Sequence, residues 1–214
     1  MKPIRIVIFA KAPLPGRAKT RLIPALGEAG AAQLALRMLE LALEQAQKAA
    51  VGPVELCMSP APDAQEWAGI PIPAGIEASD QSEGDLGERM ARAARRVIER
   101  GEAVLLTGAD CPDLTAAHLS EAARQLATHD AVLYPAADGG YPLLGLRAFD
   151  PSLFCDIPWS TDGVARLTLE RMGDLHWRVW TGETLRDIDE PDDLAHLPWT
   201  ATHRPNLSKV DNKV

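Results

Sequence analysis

"IRIVIFAKAPLPGRAKTRL", residues Ile4–Leu22, starts with a short, almost uniformly apolar and β-branched run and turns at once into a loop of prolines and cations. Such a run, lacking polar alternation, predicts a strand buried on both faces, as central strands are when helices cover both sides of a sheet. Outward from it, strand-like and helix-like segments alternate. "VELCMS" (54–59), "EAVLLTG" (102–108), "DAVLYPA" (130–136) and "HWRVWT" (176–181) read as further strands. Between them, Gly30–Ala50 places Leu34, Met38, Leu41 and Gln45 at helical spacing, with Leu39, Leu43 and Ala46 widening the stripe.

Asp85 followed by Glu88 is a capping-box arrangement that opens a second helix, with Leu86, Met90, Ala94, Val97 and Ile98 on one face. Its Arg89, Arg92, Arg95, Arg96 and Arg100 read as a solvated face paired with Glu88 and Glu99. Thr115–Thr128 and Thr161–Met172 complete the main helices, with Ser160 or Thr161 as cap of the latter, and the stretch from Pro60 to Gly84 reads as irregular chain. Asp138-Gly139-Gly140 between two apolar runs predicts a hairpin, so the sheet is expected to be mixed but mostly parallel. The expected fold is α/β, a Rossmann-like three-layer α/β/α sandwich. One domain over residues 1–199 is expected, with a short helix begun by Pro191 near its end and a loose, aperiodic tail at 200–214.

Composition narrows the function. A net charge of -8 over 214 residues argues against nucleic acid as partner, because a phosphate backbone demands a basic face. No run approaches the roughly 20 apolar residues of a membrane helix, and the opening is too soon interrupted for a signal sequence, so a cytoplasmic protein is expected. Cys57, Cys111 and Cys155 form no C-x-x-C pair, which predicts neither a disulfide framework nor a zinc site. The histidines do not cluster, and no G-x-S-x-G elbow occurs.

In open α/β sheets ligands collect beyond the carboxyl ends of the strands, which directs attention to three loops. The first carries Lys11, Arg17, Lys19 and Arg21, with no Asp or Glu between Phe9 and Gly27. It is not a Walker A loop: the early glycine is missing, and Pro13 and Pro15 offer no amide hydrogen. Side chains would therefore grip the phosphates, with the guanidinium forks of Arg17 and Arg21 beside the point charges of Lys11 and Lys19. The plainer alternative is that these cations are solvated or pair with acids elsewhere.

In "TGADCPDLT" (107–115), Asp110 follows a strand end and suits Mg²⁺, which takes one or two carboxylates plus phosphate oxygens, while Asp113 suits a turn or cap. In "RDIDEPDDL" (186–194), Asp189 or Glu190 is an ordinary cap before Pro191, or else Asp187 or Asp189 completes the metal site.

"FAKAPLPGRAKTRL", "DLGERM", "GADCPDLT", "DGGY", "IPWST" and "DIDEPDDL", in this order, resemble the bacterial rSAM/selenodomain-associated transferase 1 family, over about Ile4 to Leu197. That resemblance implies the glycosyltransferase-A-type fold of the nucleotide-diphospho-sugar transferases, with a nucleotide across the carboxyl ends of the strands. It implies phosphates on the Lys11–Arg21 loop, the base and ribose near Gln81, Gly84 and Asp85, and Mg²⁺ (or Mn²⁺) on Asp110 with Asp189 as the second metal aspartate. It implies an acceptor among Asp138, Gly139, Gly140, Tyr141 and Trp159. Two features depart from the pattern: Asp110 is followed by Cys111 rather than completing D-x-D, and Pro142 follows Tyr141. The expected function is a Mg²⁺-dependent nucleotidyl- or glycosyltransferase acting through Lys19, Arg17, Asp110 and Asp138. Its partners would be a nucleoside triphosphate or nucleoside-diphosphate sugar and a small acceptor. The alternative is a nucleotide-binding sensor without turnover.

Overall fold

The computed structural model describes residues 2–199; the expected tail at 200–214 lies outside them. Seven strands form one sheet: β1 (Ile4–Lys11), β2 (Val54–Ser59), β3 (Glu77–Asp80), β4 (Ala103–Gly108), β5 (Ala131–Tyr134), β6 (Leu143–Leu146) and β7 (Val179–Thr181). Their order is β3-β2-β1-β4-β6-β5-β7. Only β6 runs antiparallel to its neighbours, β4 and β5, as the Asp138 hairpin requires.

The four main helices are α1 (Ile23–Ala49), α2 (Leu86–Glu99), α3 (Ala116–Gln125) and α4 (Val164–Asp174). Strand β1 shows why they lie on both faces. Ile4, Ile6, Ile8 and Ala10 pack with Leu39 and Leu43 of α1 and Leu119 and Ala122 of α3, whereas Val7 packs with Met90, Ala94 and Val97 of α2 and with Met172 of α4. Alternate residues of one strand thus enter opposite cores, giving the expected three layers. No helix among the described residues is long and apolar enough to cross a membrane.

Several local expectations change. α1 begins at Ile23 rather than near Gly30, with a break at Gly27, whose φ of 72° and ψ of 167° are not helical. β3 lies inside the stretch read as irregular, where its mostly exposed EASD pattern carries no strand signal. Thr161 and Ser160 do not cap α4: Gly163 holds that position, and the Thr161 hydroxyl donates to the Pro158 carbonyl. Leu86 is exposed rather than on the buried face of α2.

The α2 arginines depart furthest in their partners, which are not Glu88 and Glu99 but groups elsewhere in the sequence. Arg96 forms a buried ion pair with Glu55 of β2, Arg95 lies 4.8 Å above the Phe149 ring, and Arg92 donates to the Gln81 and Glu83 carbonyls. Cys57 and Cys111 are buried thiols and Cys155 an exposed one, all free.

Register aligns the strand ends. Lys11 of β1 pairs with Ser59 of β2, Met58 with Asp80 of β3, and Phe9 with Gly108 of β4, while Thr107 and Tyr134 both oppose Leu143 at the start of β6. The cationic loop, the Asp110 loop and the Asp138 hairpin therefore share one rim.

Candidate phosphate and metal site

Lys19 sits at the start of a 3₁₀ turn (Thr20–Leu22) in the left-handed conformation, φ 47° and ψ 48°. This backbone turns its side chain inward, leaving it 7% exposed. Nζ lies 2.8 Å from Asp110 Oδ1 and 2.7 Å from Asp189 Oδ1, and it also donates to the Ile188 carbonyl at 2.7 Å. Burial alone would lower the Lys19 pKa, but the two carboxylates outweigh it and hold the ammonium charged, above its ordinary range.

The two carboxylates come from loops joined by the backbone, since the Ile188 amide donates to the Asp110 carbonyl at 3.0 Å. The last turn settles the division within RDIDEPDDL. Glu190 is the residue that caps the Pro191–His196 turn, and Asp193 Oδ2 accepts from the Asp189 and Glu190 amides, so the Asp189 carboxylate is left for Lys19. Asp113 is no helix cap: Thr115 caps α3 through a box with His118.

Asp187, two residues earlier, lies close enough to Asp110, Asp189 and Asp138 to feel their charge. Its Oδ1 is buried with no hydrogen-bond partner. Burial, with Asp110, Asp189 and Asp138 adding like charge, pushes its pKa up to about 7. A raised carboxyl pKa means the folded state holds more protons than the unfolded one between roughly pH 4 and 7, so stability falls as pH rises through that window. Asp187→Asn should therefore flatten this fall, gaining stability over the wild type at pH 8 but not at pH 4. Urea midpoints of the metal-free protein at the two pH values check it.

For the remaining cations of the loop the structure shows the plainer alternative, exposure or pairing with acids elsewhere. Arg17, 70% exposed, pairs with Glu66 at 3.2 Å, and Arg21, 64% exposed, pairs with Glu190 at 3.3 Å. Lys11 is exposed. The loop itself has no acids, but chain segments distant in sequence bring them to it. Exposed pairs of this kind contribute about 0–1 kcal/mol, so a phosphate can displace them. The Arg17 and Ala18 amides are already bonded to the Leu14 carbonyl, consistent with a grip made by side chains.

Gln81 is buried, and its amide group donates to the Ala10 and Cys57 carbonyls at 3.0 and 2.9 Å, tying the ends of β1 and β2 together. Asp85 caps α2, accepting from the Glu88 amide at 2.8 Å while Glu88 Oε2 accepts from the Asp85 amide. Gly84 has φ 108°, and a Cβ there would lie 2.1 Å from Glu88 Oε2. These three residues shape the rim beside the cationic loop.

Asp138 Oδ1 accepts from the Gly140 amide at 2.9 Å. Gly139, at φ 89°, presses on the loop before α4, where a Cβ would come within 2.1 Å of the Asp162 carbonyl oxygen. Asp138 joins the acidic group at the rim, but Tyr141 and Trp159 turn inward to pack on the α2/α4 core. Tyr141 Oη is buried beside Thr168, whose hydroxyl donates instead to the Val164 carbonyl, and Trp159 Nε1 is buried against Gly87 without a partner.

Sequence reasoning thus missed Asp187 as a buried carboxyl and Ile188 as the third Lys19 partner. Along an extended segment Asp187 and Asp189, two residues apart, fall on one face, so their spacing gives no sign that their surroundings differ. Among the described residues no three His, Cys, Asp or Glu side chains are grouped to hold a metal ion. Asp110 and Asp189 nevertheless converge on one cationic centre, Lys19 Nζ. A pair of carboxylate oxygens around one positive charge fits Mg²⁺ or Mn²⁺ that brings further ligands from phosphates.

The family model described as "Uncharacterized protein conserved in bacteria (DUF2064)" matches residues 42–161. A solved structure from Desulfovibrio desulfuricans G20, described as a "putative nucleotide-diphospho-sugar transferase", is 30% identical, covers 89% of this chain and 84% of its own, and has a TM-score of 0.82. CMP:2-keto-3-deoxy-manno-octonic acid synthetase complexed with CTP is 11% identical, with a TM-score of 0.57 over 90% of this chain and 95% of its own. Rv0371C from Mycobacterium tuberculosis, in complex with manganese, is 18% identical, with a TM-score of 0.52 over 92% of this chain and 98% of its own. The last two likenesses show a shared fold alone. No curated protein matches the sequence.

Proposed function

This chain belongs to the DUF2064 family, and we propose that it is a Mg²⁺- or Mn²⁺-assisted transferase acting on a nucleotide-activated substrate. The observation that carries this reading is the convergence of Asp110 and Asp189 on the Lys19 ammonium, at the rim where the strand ends meet. The 30%-identical relative, described as a "putative nucleotide-diphospho-sugar transferase", supports the substrate class. The motif resemblance to the rSAM/selenodomain-associated transferase 1 family points the same way.

In this reading Lys19, Arg17 and Arg21 bind the phosphates, with Lys11 at the edge of the loop, and Gly84 and Asp85 shape the space for the nucleoside beside Gln81. Asp110 and Asp189 hold the divalent ion, which when bound neutralises charge on the phosphates. The absence of D-x-D after β4 favours nucleotidyl transfer. An acceptor phosphate oxygen attacks the α-phosphorus of a nucleoside triphosphate, the bond from that phosphorus to the α–β bridging oxygen breaks, and pyrophosphate leaves with the electron pair. Positioning and charge stabilisation supply most of the rate in such chemistry, which suits a site lacking a nucleophilic triad. Asp138, Gly139 and Gly140 border the acceptor, with Tyr141 and Trp159 setting their position from below.

A thermal-shift screen of nucleoside triphosphates and nucleoside-diphosphate sugars, with and without Mg²⁺, tests the reading. A ligand at a hundred times its dissociation constant should add about 2.7 kcal/mol. If no nucleotide stabilises the protein under either condition, the reading is lost. Metal-dependent binding without product from any acceptor would indicate the sensor role instead.

A further inference from the structure

We propose that Lys19 is a resident cation that occupies the metal site, so that a free divalent ion is kept out and metal enters only together with a nucleotide. This rests on the reading of Asp110 and Asp189 as the metal carboxylates.

An ammonium has three N–H donors and no acceptor. In Lys19 all three have a partner within hydrogen-bonding distance: Asp110 Oδ1 at 2.8 Å, Asp189 Oδ1 at 2.7 Å and the Ile188 carbonyl at 2.7 Å. Asp189 and the Ile188 carbonyl accept its hydrogen bonds and Asp110 pairs with its charge, so gripping a phosphate draws Nζ away from at least one of these acceptors. The same two carboxylates are the ones that face the metal position. Metal and Lys19 therefore compete for one pair of oxygens, and a divalent ion arriving alone would meet a buried positive charge at contact distance.

Asp138 and Asp187 lie near the pair, but among the described residues no three such side chains are grouped to hold an ion, so the pair alone must outcompete Lys19 for it. A nucleotide changes both sides of the exchange at once. Its phosphate oxygens accept the hydrogen bonds that Lys19 gives up, and they complete the coordination of the incoming ion. Lys19 then moves from the carboxylates to the phosphates, with no unpaired charge left at either place. The arrangement explains why the one buried cation of the loop is the one placed between the acids, while Arg17 and Arg21 stay exposed at its edge.

The test is Mn²⁺ binding to the nucleotide-free protein, read from the electron paramagnetic resonance signal of free Mn²⁺. Lys19→Gln should bind Mn²⁺ at least tenfold more tightly than the wild type, and adding Asp110→Asn to it should remove the gain. Asp110 and Asp189 are 54% and 42% exposed, so water can solvate them once the lysine is gone and the variant should fold. Should Lys19→Gln not fold, Lys19→Met is read in the same way. Equal or weaker Mn²⁺ binding by the variant than by the wild type overturns the proposal. A gain that survives Asp110→Asn overturns it too, because the ion would then sit elsewhere. The nucleotide reading fails separately, if no nucleoside triphosphate tightens Mn²⁺ binding to the wild type.

Discussion

Replacing Glu55 by alanine should destabilise the fold by about 1–3 kcal/mol, the usual cost of leaving buried hydrogen-bonding groups without their partner. The Glu55 side chain is 2% exposed in the middle of the sheet. It accepts from Arg96 at 2.5 and 3.0 Å and from the Ser79 hydroxyl at 2.5 Å, and it stands 3.6 Å from the Arg5 guanidinium. Arg5 is itself 6% exposed and is shared with Glu77 and Glu102, each at 2.7 Å. One network thus ties β1, β2, β3 and α2 together, and alanine at position 55 would leave Arg96 without its acid while Arg5 keeps Glu77 and Glu102.

Burial alone would raise the Glu55 pKa, but the bonds from Arg96 and Ser79 outweigh it and hold the carboxyl below its ordinary range. Its stabilising contribution is therefore complete at neutral pH and is lost as pH falls through the depressed folded-state value. Urea unfolding at pH 7 and at pH 3 should show the difference between wild type and Glu55→Ala shrinking at the acidic end. A destabilisation at pH 7 of less than about 1 kcal/mol, the scale of an exposed pair, would show that the network contributes little.

Lys19→Ala should weaken nucleotide binding roughly tenfold to a hundredfold when measured in EDTA, the range expected for a lost charge-assisted hydrogen bond of about 1.5–3 kcal/mol. Without metal the lysine competes with no ion, so the loss reports its phosphate contact together with the repulsion from Asp110 and Asp189 that it neutralises. Asp110→Asn should leave binding in EDTA close to wild type and remove most of the increase that Mg²⁺ brings. Titration calorimetry of both variants under both conditions separates the two roles. Equal affinity of wild type and Lys19→Ala in EDTA would remove Lys19 from the phosphate grip, whatever Asp110→Asn does.

Much of the architecture was legible in the sequence because it depends on local periodicity. The apolar strands after Ile4 and Val54, the Asp85–Glu88 capping box and the Asp-Gly turn that makes the sheet mixed all follow from residues near one another. β3 was not legible, since an exposed edge strand needs little apolar pattern to pair with β2. Arg92, Arg95 and Arg100 are exposed as expected, but Arg96 was misread as part of that solvated face for a different reason. Arg96 looks like a surface residue until Glu55, 41 positions earlier, is brought beneath it.

The candidate site divides along the same line. Sequence alone located the cations of the first loop, the carboxylate after β4 and the acids near Pro191, because motif spacing and the rule that ligands gather at strand ends are properties of the chain order. It left open whether Asp187 or Asp189 completes a metal site, and whether the loop cations grip a ligand or pair with acids elsewhere. The tertiary structure brings residues 19, 110 and 189 around a single nitrogen and gives Arg17 and Arg21 acidic partners from distant segments. Charge balance in a folded protein is set by distances through space, and those exist only once the sheet has aligned the ends of its strands.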